Sequence, residues 1–182
     1  MLGRLTALSA TLALGAGAAL AEDRTVEPEA YAGLWYEIAR TPTPFQIQCE
    51  GGVTALYELI DDDTVRVLNR CDVAGGEASS VEGTAEEVGS DFRRFDVAFG
   101  PSPDDDRVNY VVEAVGPVED ERHAWAAVSD GDGGTGWILA PRPDLDADAR
   151  DDARAALEEA GVDVGALQDT PQPPENYDPE DD

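Results

Sequence analysis

The sequence predicts an all-β fold, an antiparallel sandwich or barrel of about eight short strands, with one α-helix after the last of them. Three observations predict it. Stretches of period-two alternation recur at short spacing between residues 34 and 140. The turns between them are rich in Gly, Asp and Pro, which stop strands and reverse the chain. Helical periodicity appears once, and only after the strands are over.

The elements follow in order. "MLGRLTALSATLALGAGAALA" has one basic residue, Arg4, an apolar stretch rich in Leu and Ala, and Ala19-Leu20-Ala21 at its end. That is the layout of a cleaved signal peptide over residues 1–21, and its apolar part is too short for a membrane span. No cysteine follows it, so lipid attachment at a mature N-terminal cysteine is excluded. The expectation is a periplasmic or secreted protein with no stable membrane anchor, a single domain over 22–172, and an acidic, Pro-rich tail over 173–182 without periodicity.

The run "GLWYEIAR" opens the strands, and "VTALYEL" (53–59), "TVRVLNRCDV" (64–73) and "ASSVEGTAEEV" (78–88) continue them. Then come "FRRFDVAFG" (92–100), "RVNYVVEAVG" (107–116), "HAWAAVS" (123–129) and "GWILA" (136–140). In "DLDADARDDARAALEEAG" (144–161), Leu145, Ala149, Ala153, Leu157 and Ala160 recur every three or four residues. Asp144 is placed to cap this helix and Gly161 to end it. Cys49 and Cys71 fit an oxidising compartment, where they pair.

Charge excludes several functions. With 12 arginines, no lysine and 40 acidic residues, the net charge is −28. Such a surface repels nucleic acid and anionic lipid. The acids are spread over every loop, which reads as a solvating coat suited to a halophilic setting more than as one cationic partner's site. Catalysis has no constellation to rest on. His123 is the only histidine and sits in an acidic turn, where it reads as a surface residue. "DGDGGTG" (130–136) starts like a calcium loop, but Gly134 and Pro141 stand where ligands are needed, so it reads as a hairpin turn. No metal ligand set, cofactor motif or catalytic residue is expected.

Alternation gives Phe95, Val97, Phe99, Tyr110 and Val112 the inward parity, because Arg94, Asp96, Asn109 and Glu113 beside them require water. Trp125 is a weaker candidate for the same interior. Residue patterning leaves a ligand cavity and a filled core equally open.

"GLWYEIARTPTPF" (33–45), "TALYEL" (54–59), "VLNRC" (67–71), "GWILAPRPDL" (136–145) and "AGVDVGALQDTPQ" (160–172) occur in an order and spacing that resembles the lipocalins, closest to the bacterial lipocalin and apolipoprotein D-like branch. The resemblance implies an eight-stranded antiparallel up-and-down β-barrel with one C-terminal α-helix packed outside. It implies that Trp35 closes the narrow end, that Gly33 lets the chain pass beneath it, and that an arginine after the last strand stacks on the indole. Pro141 occupies that arginine's aligned position, which leaves Arg142 one residue late. The family's second signature, between strands six and seven, is replaced by "GPVEDER" (116–122). A cavity lined by Phe95, Val97, Phe99, Tyr110, Val112 and Trp125, under a lid carrying Phe45, is implied for a small hydrophobic ligand such as a fatty acid or lysophospholipid. The alternative is a structural or stress-protective envelope protein whose barrel is filled.

Overall fold

The computed structural model describes residues 25–100 and 107–173; the expected signal peptide and most of the acidic tail lie outside them. A four-residue helix α1 (Pro28–Tyr31) leads into β1 (Gly33–Arg40). A 3₁₀ turn over Pro44–Gln46 precedes β2 (Cys49–Leu59), β3 (Thr64–Val73), β4 (Glu77–Glu87), β5 (Arg94–Ala98) and β6 (Tyr110–Val115). A two-residue-stranded hairpin, β7 (Val118–Glu119) and β8 (Arg122–His123), comes before β9 (Ala126–Ser129) and β10 (Gly136–Ala140). Helix α2 (Ala147–Glu159) and the short β11 (Gln168–Asp169) complete the chain.

Strands β1 to β6, β9 and β10 pair antiparallel in sequence order, and β10 pairs back onto β1. The barrel is therefore closed by eight strands, which leaves it no free edge. Residues 33–36 of β1 pair with β2, residues 36–40 pair with β10, and β11 adds beside residues 39–40. The expected strand over 123–129 is split, because His123 belongs to the hairpin and β9 starts only at Ala126.

Two apolar layers result. One lies inside the barrel, with Trp35, Tyr57, Val67, Phe95, Val112 and Val115 among its members. The other lies between the barrel wall and α2, where Tyr36, Ile38, Trp125, Ala127, Ile138 and Ala140 meet Ala153 and Leu157. The wall strands β1, β9 and β10 thus bury apolar side chains on both faces.

Helix α2 is shorter than the expected 144–161. Its N-cap is Asp146, not Asp144, because the Asp146 carboxylate is the one that reaches a free N–H of the first turn, that of Ala149 at 3.0 Å. At its other end Gly161, with φ +89°, lets its own N–H reach the carbonyl of Glu158 and that of Val162 reach Leu157. That pair of bonds is the glycine-terminated helix stop, with Val162 buried against the helix.

A disulfide joins Cys49 at the start of β2 to Cys71 near the end of β3, with Cα atoms 5.5 Å apart and a sequence separation of 22. Closing a loop of that size stabilises by about 3 kcal/mol in the chain-entropy account.

Candidate ligand-binding site

The closed end of the barrel is built around Trp35, which has no exposed surface. Its indole N–H donates to the Tyr31 carbonyl at 2.7 Å, so the buried polar atom is satisfied. The cation over the ring is Arg122, 5.2 Å from the centroid, and not Arg142, which is exposed. Arg122 is held there by donating to the carbonyls of Ala30 and Leu34. The residues that place it are the ones read as a missing signature. "GPVEDER" folds into the β7–β8 hairpin, whose turn residues Asp120 and Glu121 have φ of 48° and 65°. That left-handed pair suits the twist of a tight hairpin and folds Arg122 back under the barrel.

Gly33 follows from the same contact. At φ +106° it has no Cβ, and one built there would lie 2.6 Å from Arg122 Nη1. The glycine therefore makes room for the arginine. His123, expected on the surface, is buried. Its Nε2 accepts from the Glu27 N–H at 3.1 Å and its Nδ1 lies 3.0 Å from the Gly116 carbonyl. It ties the hairpin to the segment before α1.

Above this floor lies a cavity of about 680 Å³, within the ~300–1,000 Å³ usual for small-molecule sites. Phe95, Val97, Phe99 and Tyr110 line it, joined by Tyr31, Tyr57, Val67, Phe92, Trp137 and Leu139. Two expected wall residues are elsewhere. Val112 points inward but is packed solid with other core side chains and does not line the cavity. Trp125 shares the outward parity of Ala127 and packs in the layer beneath α2. Phe45 sits on the 3₁₀ turn at the mouth, its ring 6.3 Å from that of Trp137, and it borders the cavity while 64 % exposed.

Two polar groupings interrupt the apolar wall. On the mouth side, the buried Glu37 carboxylate accepts from Arg40 and Thr170, each at 2.5 Å, and from Gln46 at 2.9 Å. Gln46 Oε1 in turn accepts from the Trp137 indole N–H and the Thr43 hydroxyl. A buried carboxylate with these partners is compensated, and Gln46 fastens the Phe45 turn to both β1 and β10. At the floor, the Tyr110 hydroxyl lies 2.6 Å from that of Tyr31 and 3.0 Å from that of Tyr57. Burial, first among the causes, pushes all three phenols well above their ordinary value of 10.0.

Of the residues not expected, Trp137 was within reach of alternation, since it is in phase with Leu139. Tyr31, Glu37 and Gln46 carried no signal. Tyr31 precedes the first strand, Glu37 is a charged residue turned inward, and Gln46 lies in the loop. Among the described residues no group of His, Cys, Asp and Glu could hold a metal ion.

A closed eight-stranded barrel with a tryptophan plug at one end, an apolar cup above it and a helix along its side is the lipocalin architecture. Residues 26–172 match the family of lipocalin-like domains, and the chain belongs to the lipocalin family. Temperature-induced lipocalin-1 of Arabidopsis thaliana is 31 % identical over 163 residues, which is 84 % of this chain and 85 % of that one. A putative lipocalin of Acanthamoeba polyphaga mimivirus is 43 % identical over 61 residues, which span only 34 % of this chain and 35 % of that one. Among solved structures, lobster apocrustacyanin A1 superposes with a TM-score of 0.62 at 18 % identity, over 80 % of this chain and 79 % of that one. That last likeness carries the fold. Lipocalins generally hold small hydrophobic ligands inside the barrel.

Proposed function

We propose that this protein binds and carries a single small hydrophobic molecule, a fatty acid, a lysophospholipid or a similar lipid, outside the cytoplasm. The observation that carries the reading is the cavity: about 680 Å³, walled by aromatic and aliphatic side chains and bordered at the mouth by the exposed Phe45. A site of that size and lining gains its affinity from apolar burial. The cavity supports this reading over a filled, purely structural barrel. Phe95, Val97, Phe99 and Tyr110 are its wall and Phe45 its lid. The disulfide and the signal-peptide layout of residues 1–21 support a location where thiols oxidise.

Native mass spectrometry of the protein purified from its own host tests the proposal. The expected spectrum carries one lipid-sized adduct per chain, lost on organic extraction. A bare chain mass under gentle conditions, with no uptake of added lipid, contradicts it.

A further inference from the structure

We propose that the floor of the cavity recognises a neutral oxygen, a carbonyl or a hydroxyl, at the buried end of the ligand. This rests on the carrier reading above and refines which lipid the barrel selects. The argument begins with a count of protons. Tyr31 from α1, Tyr57 from β2 and Tyr110 from β6 bring three hydroxyls together, and each hydroxyl has one proton to donate. They form an open chain of two bonds, Tyr31 to Tyr110 and Tyr110 to Tyr57. Two bonds use two protons. Whichever way the chain is directed, one O–H is left over, on a residue that lines the cavity.

The surroundings decide what that donor can meet. Phe92 and Phe95 stack edge-on to one another beside it, and the Tyr31 and Tyr57 rings lie nearly parallel with centroids 5.6 Å apart. This end is apolar apart from the hydroxyls, so an acceptor brought here is worth more than one left in water. The only cationic side chain among the described lining residues is Arg70. It stands on β3 opposite Thr54 and Ser80, in the half nearer the mouth. Of the two acidic side chains that line the cavity, Glu37 and Asp130, Glu37 adds negative potential at Tyr57. A carboxylate driven to the floor would be desolvated with no cation lining that end of the cavity, since Arg122 lies beneath Trp35 and is engaged with the Ala30 and Leu34 carbonyls. A neutral ketone, aldehyde or alcohol oxygen accepts the spare hydrogen bond without that cost. The floor therefore favours ligands with an oxygenated, uncharged end over ones whose deep end is plain hydrocarbon, and it leaves an anionic head at the mouth.

Hexadecane, hexadecanone with its carbonyl beside the chain end, and hexadecanoate test this by displacing a fluorescent apolar probe from the wild-type protein. The expected result is that hexadecanone binds about tenfold more tightly than hexadecane, and that its carbonyl stretch in the complex is lowered relative to hydrocarbon solvent. Changing Tyr31→Phe, Tyr57→Phe and Tyr110→Phe together should return the ketone to the affinity of the alkane measured on the same variant and reverse the shift. If that variant does not fold, the wild-type series and the carbonyl spectrum decide alone. Equal binding of ketone and alkane by the wild type, a carbonyl spectrum like that of the free ketone in hydrocarbon, or tightest binding with the carboxylate buried, overturns the inference and leaves the carrier reading standing. Failure of all three probes to bind overturns the carrier reading, and this inference with it.

Discussion

At the closed end of the barrel Trp35, Tyr31 and His123 are buried, whereas at the mouth Phe45 and Ile47 stand 64 % and 86 % exposed. Both ends use aromatic residues, but for different purposes. Trp35, Tyr31 and Arg122 interlock through a cation–π contact and three bonds to backbone carbonyls, drawing on α1, β1 and β8. The Phe45 ring lies 6.3 Å from that of Trp137, and the side chain of Gln46 ties its turn to β1 and β10. The contrast separates what holds the fold from what faces a ligand. Substitutions below the cavity should act on stability, and substitutions at its rim should act on binding.

The largest effect belongs to Trp35. Removing the fully buried indole leaves a cavity at the closed end, and Trp35→Ala should cost ~3–5 kcal/mol in denaturant unfolding. A loss below about 1 kcal/mol would mean that the plug is dispensable.

Next is the alkaline response of the floor tyrosines. Their folded-state pKa values lie above 10.0, so the native state holds protons that the unfolded chain releases. The resulting stability is complete below pH 10 and declines as pH rises beyond it, by up to about 1.4 kcal/mol per pH unit for each buried phenol. Tyrosinate absorbance should show a group of tyrosines that ionises only with loss of the fold. A single unshifted titration of all five tyrosines would place these hydroxyls in water.

A smaller effect distinguishes two arginines. Arg122→Ala removes the cation–π contact and two bonds to carbonyls, and should cost ~1–3 kcal/mol. Arg142→Ala, on the exposed surface, should stay within ~0.5 kcal/mol. The reverse order would restore the arrangement expected from the sequence.

The smallest stability effect belongs to the mouth. Phe45→Ala should leave the melting temperature unchanged within a degree or two, about the shift of a few tenths of a kcal/mol, while weakening uptake of a fluorescent fatty acid several-fold. Unchanged uptake would remove Phe45 from the lid.

The same two ends differ in how much of them could be read from the sequence. The eight barrel strands were legible because alternation and acidic or glycine-rich turns mark them, and the β3 boundaries at residues 64 and 73 coincide with the expected ones, whereas the short β7, β8 and β11 carried no such pattern. Phe95, Val97 and Tyr110 were legible as wall residues for the same reason, since polar neighbours fix their parity. Trp125 was not, because α2 covers the outer face of β9 and makes both parities apolar there. Arg122 and His123 were hidden by a turn, Asp120–Glu121, that adopts left-handed backbone without a glycine to announce it. The environment of His123 also depends on Glu27, 96 residues away. Tyr31, the third of the floor tyrosines, lies on a helix of four residues, too short to leave a periodic signal.

The central claim is that the barrel interior is the binding site, and filling the interior tests it most directly. Val97 is partly buried on β5 and lines the cavity, so Val97→Trp adds an indole to the space a ligand would occupy. The measurement is the dissociation constant of an apolar fluorescent probe for the wild type and the variant, alongside their thermal unfolding. The account predicts one probe per wild-type chain, and binding weakened by at least about tenfold in a variant that still unfolds cooperatively. Undiminished binding to a folded Val97→Trp protein would contradict it and place the ligand on the outside of the barrel.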